Sequence, residues 1–287
     1  MIIGDNRRAV IENIKKCAHN GEFHNKVELN DPVLSNIESK KITDAYMQNK
    51  DLFSFKLKTL LGVTAAKAAT KIINKNTEIK GLEKIPENLQ GVLITSNHFN
   101  PLENTVIRHL TNTLNRRHLA IISQTSNFKM TGFVGFLMNY ADTIPISTDP
   151  RYLAKDFLSV LKERLVQKKH AVLLYPEQEM WFNYRKPRPV KSGAYFFAAK
   201  LNIPIISCFV EIVDSEEDDT DEFKKVKYVL HVLDVLYPDS NKSVKANTEM
   251  LGQTDYNLKK ECYEAVYGKP LTYEFESSDI AGWKETL

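Results

Sequence analysis

Cysteine is scarce, neither sign of charge dominates, and long apolar runs are missing. Each of these absences narrows what the chain can be. Among 287 residues there are three cysteines, Cys17, Cys208 and Cys262. So few thiols, odd in number and far apart, argue against a disulfide-stapled scaffold and predict reduced thiols at an intracellular address. Lys and Arg total 39 against 36 Asp and Glu, a net charge of +3. That is too near balance for a nucleic-acid binder, and the basic residues lack the aromatic interleaving of a base-stacking surface. No window reaches the about 18 apolar residues that a membrane span requires. The opening MIIGDNRRAVIENIKKC puts charges where the apolar core of a secretory signal would lie. Together these features predict a cytoplasmic protein, free or peripheral on the inner face of a membrane.

Several catalytic signatures are also missing. There is no G-x-S-x-G elbow. H-E-x-x-H, a Walker A loop and a Cys–His cluster with zinc spacing are absent, and GFVGF is not a dinucleotide fingerprint. No metal and no resident cofactor is expected. Cys208 sits in an apolar strand and reads as buried filler, not a nucleophile.

What is present is an α/β pattern. The chain is 43% apolar, enough for one large domain with an extension. Residues 1–78 read as an N-terminal helical extension and 79–287 as the α/β domain. In the extension, LNDPVLSN is a turn-rich break. Over residues 55–75, Leu57, Leu60, Leu61, Ala65, Ala68, Ala69 and Ile72 recur at helical spacing. This amphipathic helix is expected to pack its apolar stripe on the core, since Gly62 and the alanines offer little bulk for lipid; resting on anionic lipid is the competing use.

From residue 90 onward, strands are predicted at 91–96, 118–123, 170–176, 203–213 and 225–238, with helices near 103–115, 151–168, 190–201 and 242–268. Short continuous apolar strands alternating with helices predict a mixed, largely parallel sheet covered on both faces. DSEEDDTDE, residues 214–222, holds seven acidic residues in nine and reads as a solvated hairpin loop.

Two stretches carry chemistry. In TSNHFNPLEN, Asn100 is a good N-cap, with Pro101 and Glu103 at the first and third helical positions. Glu103 alone would be a capping-box glutamate. His98, however, stands in the link at the carboxyl edge of the sheet, where open α/β sheets bind ligands. A five-residue separation across this turn lets Glu103 accept the proton of one ring nitrogen and leaves the other basic. The second stretch is VLLYPEQEMWFNYRKPRPVKSGAYFFAAKLNIPIIS, in which Glu177 again follows a strand end. Arg185, Lys186, Arg188 and Lys191 follow it, and residues 151–200 hold eleven Lys and Arg against four Asp and Glu. Prolines 187 and 189 would stiffen the run, which suits phosphate better than it suits a free tail.

These residues resemble a known family. NHFNPLEN is similar to the NHx4D block of the glycerolipid acyltransferases, which include 1-acylglycerol-3-phosphate acyltransferase. LLYPEQEMW resembles their PEG-containing block, and VKSGAYFFAAKLNIPIIS their Lys-x-Gly start, helix and proline-opened strand. The resemblance implies acyl transfer from acyl-CoA or acyl-carrier protein to a hydroxyl of a lipid or glycerol-phosphate acceptor. His98 would be the general base and Glu103 its orienting partner. Glu177 would help seat the acceptor, the basic residues would meet phosphate, and backbone amides near Asn97 and at the helix start would stabilise the oxyanion.

The sequence departs from the pattern in three places. Glu103 replaces the family aspartate, and Gln178-Glu179-Met180 replaces Gly-Thr-Arg. Ser147 stands nearest the arginine of a further block, with Arg151 beyond it. The longer Glu103 can be absorbed by a shift of the helix start; the other two changes bear on the acceptor and leave the His–carboxylate pair untouched. Two other readings follow from them: a lipid-binding homologue without turnover, and a thioesterase-like hydrolase that uses water as acceptor.

Overall fold

The computed structural model describes residues 6–29, 32–114 and 118–284. Part of the predicted turn at 29–36 and the end of the predicted helix 103–115 lie outside the described residues. Seven strands form one sheet: β1 (Glu78–Lys80), β2 (Val92–Thr95), β3 (Leu119–Gln124), β4 (Thr143–Ile146), β5 (Ala171–Leu174), β6 (Ile205–Asp218) and β7 (Lys224–Leu236). Their order is β1-β7-β6-β2-β5-β3-β4. Strands β2 to β6 run parallel, and β6 and β7 form the one antiparallel pair in this sheet. The mixed, largely parallel sheet is the one the sequence pattern predicts.

All four residues of β2 are buried, as a strand covered on both faces must be. Val92 and Ile94 face a cluster with Val106, Ile107 and Leu110 of α4 (Asn104–Thr113). Leu93 faces the opposite cluster. That side is covered by the helix over 152–167, whose α6 (Leu158–Lys162) lies between two π-helical turns. It is also covered by α7 (Gly193–Leu201) and α8 (Val244–Tyr267). A buried ion pair fastens α8 beneath the end of β2: Lys259 Nζ lies 2.6 Å from Asp255, which accepts from Thr95 Oγ1 at 2.9 Å and from Tyr195 Oη at 2.5 Å.

The N-terminal helices lie against this domain. In α1 (Arg7–His19), Val10, Ile11 and Ile14 share a cluster with Trp181, Phe182 and Tyr184. The next helix, α2 (Asn36–Asn49), opens on a Ser35–Glu38 capping box and buries Tyr46 beside Phe157.

Three features differ from the sequence expectation. First, α3 (Phe53–Ile73) does not turn its leucines to the core. Leu60 and Leu61 are 62% and 57% exposed, and Leu57 and Ile72 are exposed as well. The helix packs through its small residues instead. A Cβ on Gly62 would stand 2.5 Å from the Tyr140 carbonyl oxygen, so glycine allows α3 to approach α5 (Gly132–Tyr140) at backbone distance.

Second, the acidic stretch is mostly strand, because β6 continues to Asp218. Lysines on β7 make this possible: Lys225 Nζ meets Glu217 at 2.7 Å and Lys224 Nζ meets Glu216 at 3.5 Å. Third, β1, β4 and α5 were not foreseen.

Candidate active site

His98 follows β2 at the carboxyl edge of the sheet, and Tyr175 to Glu177 follow the neighbouring β5 at the same edge. The chain leaves β2 in a tight turn, and α4 begins at Asn104, later than a cap at Asn100 would set it. The cap chemistry still forms, with Asn100 Oδ1 accepting from the Leu102 N–H at 3.0 Å. Glu103, 3% exposed, closes the turn from the other side. Its Oε2 accepts from the Phe99 and Asn100 N–H groups, and its Oε1 meets Nδ1 of His98. One carboxylate therefore caps the turn and orients the ring. With Nδ1 donating to Glu103, Nε2 carries the lone pair and has no partner among the described residues. The His98 side chain is 21% exposed, so that edge of the ring reaches solvent.

Tyr175 fixes the ring from one side. Its phenol stacks on the imidazole at 4.1 Å between centroids, with 7° between planes. Burial pushes the Tyr175 hydroxyl well above its ordinary pKa, and the Glu103 carboxylate adds to the effect. The Tyr-Pro-Glu strand end was visible in the sequence, but a stacking role for Tyr175 needs the register of β5 beside β2.

A buried brace holds the backbone under His98. Glu177 Oε2 accepts from the His98 N–H at 3.1 Å and from Arg188 Nε at 3.1 Å, while Oε1 accepts from the Arg188 N–H at 3.0 Å. The rest of the Arg188 guanidinium binds the carbonyls of His98, Phe23 and Glu179, with Trp181 4.6 Å from it. Arg188 is 1% exposed. Gln178, where the resemblance places glycine, sits at φ 69. That left-handed conformation is what glycine adopts freely and glutamine does not.

Several predicted residues are placed elsewhere or are already committed. Glu177 is buried, with both oxygens engaged by the His98 amide and by Arg188. Arg188 is spent on the brace. Lys186 pairs with Asp279 at 2.7 Å in the interior, and Arg185 reaches Asp214 at 2.5 Å. Lys186 is thereby drawn to the C-terminal segment, and Arg185 to β6 and to the Ser278 carbonyl at 3.2 Å. The Asn97 side chain is buried too; it extends the sheet by accepting from the Val210 N–H at 2.8 Å and donating to the Val210 carbonyl at 3.0 Å. The amides expected to hold an oxyanion are taken as well, that of His98 by Glu177 and those of Phe99 and Asn100 by Glu103. Two predicted cations remain open at this edge. Lys191 is exposed and anchored by its N–H to the Pro176 carbonyl at 2.8 Å. Arg151 is exposed beyond β4.

Fold and site together define a layered α/β protein with a histidine–carboxylate pair at the carboxyl edge of its sheet. Residues 76–211, just under half of the chain, match the family model described as Acyltransferase. The matched stretch contains His98, Glu103, Glu177 and Arg188. Among solved structures, the chain is similar to the crystal structure of the 1-acyl-sn-glycerophosphate (LPA) acyltransferase PlsC from Thermotoga maritima. The TM-score is 0.51 at 14% identity, over 82% of this chain and 96% of that one. No curated protein matches the chain by sequence. No helix among the described residues is long and apolar enough to cross a membrane.

Proposed function

We propose that the protein moves a fatty acyl group from an acyl thioester, acyl-CoA or acyl-carrier protein, to a hydroxyl of a glycerolipid-type acceptor such as a lysophospholipid. The observation that carries this reading is the His98–Glu103 pair, with Nδ1 held by the carboxylate and Nε2 open. The acceptor oxygen attacks the thioester carbonyl while its proton passes to Nε2. The C–S bond then breaks, and the thiolate leaves with the proton that the imidazolium returns. Glu103 fixes the tautomer and steadies the positive ring. Tyr175 and the Glu177–Arg188 brace position His98 from outside the reaction. Lys191 and Arg151 are the cations free to meet a phosphate. The family match and the name of the Thermotoga maritima neighbour support the acyl donor and the glycerophosphate type of acceptor.

The same reading places the protein peripherally on the inner face of a membrane, where such acceptors reside. The exposed leucines of α3 support it, as do Phe133 and Val134 of α5 at 67% and 53% exposure. Lysines 56, 58 and 71 on α3 suit anionic lipid.

The test is a mass-spectrometric screen of purified protein with acyl-CoA against lysophospholipids, glycerol 3-phosphate and water, with free thiol followed in parallel. The expected result is thiol release matched by an acylated lipid. His98→Ala should lower the rate by about 10²–10⁴. Thiol release without acylated lipid would select the hydrolase, and donor binding without thiol release would select the inactive homologue.

A further inference from the structure

Three side chains that acyl transfer does not use meet at the opposite edge of the sheet. His118, Asp142 and His170 each stand one residue ahead of a strand, before β3, β4 and β5. These strands are adjacent and parallel, so the three residues fall side by side at the amino edge. One ligand atom from each lies within 4.8 Å of the others, and they form the one such group among the described residues. The two imidazoles stack at 4.3 Å between centroids, with 16° between planes.

Nδ1 of His170 is buried and has no hydrogen-bond partner. Leaving a buried polar atom unmatched is costly, and a ligand that accepted its lone pair would remove that cost. Asp142 is buried, and Arg164 binds its Oδ1 at 2.9 Å, which fixes its orientation as the outer partner of a ligating carboxylate does.

We propose that His118, Asp142 and His170 form a binding site for a divalent transition-metal ion of the zinc type. Two nitrogens and one carboxylate oxygen suit zinc and are a poor set for calcium or magnesium, which take oxygen. Closing on an ion requires the rings to splay from their stack by rotation about Cβ–Cγ, because stacked planes aim their lone pairs side by side. Arg164, Lys168 and Lys67 face the cluster with positive charge, and Asp142 supplies the opposing charge within the ligand set. The bound ion clamps the amino ends of three strands, including the edge strand β4. It lies on the far side of the sheet from His98: Tyr175, beside His98, is five residues beyond His170, or about 16 Å along an extended strand. No short motif announces the site, because each ligand comes from a different strand.

The test is metal content of the full chain after stripping with chelator, addition of zinc sulfate and gel filtration. Wild type and His98→Ala are expected to retain about one zinc ion per chain. His118→Ala, an exposed position whose replacement leaves the core intact, and His170→Ala are each expected to lose it. The readout does not depend on acyl transfer, so it stands or falls apart from that reading. No retained zinc in wild type, zinc retained in both histidine variants, or zinc lost in His98→Ala would each overturn the proposal.

Discussion

The two oxygens of Glu103 divide between the backbone turn and His98. Oε2 takes the amides of Phe99 and Asn100 while Oε1 takes Nδ1 of His98. The carboxylate that caps the turn before α4 and the one that holds the ring are thus one group.

That division separates two variants. Glu103→Gln keeps one acceptor oxygen but replaces the other with an NH₂ donor, so it can cap the turn or hold the ring but not both. It should keep most of the stability, losing about 0.5–2 kcal/mol as a weakened cap does, and should lose about 10²-fold or more in kcat. Glu103→Ala should lose at least as much of both. Denaturation midpoints and thiol-release kinetics check this. A Gln variant with wild-type kcat would mean the carboxylate does not orient the base.

The Glu177–Arg188 pair predicts a stability effect of another size. Both partners are buried, and three backbone carbonyls depend on the guanidinium. Arg188→Leu leaves the Glu177 carboxylate buried without its ion partner and should cost about 3–5 kcal/mol. The double variant Glu177→Gln with Arg188→Leu should cost less than the sum of the singles, because the unpaired charge is gone. A double-mutant cycle by urea denaturation measures the coupling; strict additivity would mean the brace is not a unit.

The reach of the sequence follows from how local each feature is. β2 and β5 were legible as short apolar runs ending in turn residues, and His98 with Glu103 was legible because five residues and one turn contain the pair. β4 was hidden, since TIPI is only four residues long and carries a proline. The Glu177–Arg188–His98 brace was hidden because Arg188 meets a carbonyl 90 residues away, and its charge read equally well as a phosphate ligand. The same applies to Lys186, whose partner Asp279 comes from the C-terminal segment. For α3 the periodicity gave a helix and its stripe but chose the wrong face. Periodicity cannot reveal that a neighbouring helix will approach Gly62 closely enough to prefer the small-residue side.

A pH dependence follows from Glu163. Burial alone would raise its carboxyl, but the ammonium groups of Lys168 and Lys50 outweigh this and hold it down at about 2, from 4.5. A folded-state value below the unfolded one favours folding fully above about pH 4.5, and the contribution fades as pH falls toward 2. Lys168 is 44% exposed, so solvent screening keeps the contribution below about 1 kcal/mol. Glu163→Gln should therefore lower the urea midpoint slightly at pH 7, and the gap from wild type should narrow by pH 3. A gap unchanged between the two would assign the loss to something other than this charge.

The exposed face of α3 makes the membrane reading testable without touching the site. Leu60 and Leu61 are more than half exposed and take no part in the three buried clusters, so Leu60→Asp with Leu61→Asp should shift stability by no more than about 0.5 kcal/mol per position. Wild type should float with vesicles containing anionic lipid, and less at high salt, because the α3 lysines add an electrostatic share. The double variant should remain at the bottom of the gradient while keeping its melting temperature. Gly62→Ala supplies the contrast. Its methyl would press on the Tyr140 carbonyl and force α3 from α5, at about 1–3 kcal/mol, while the leucines stay outward. Equal flotation of wild type and the aspartate variant, or no flotation of wild type, would remove this face from the account of how acceptor reaches His98.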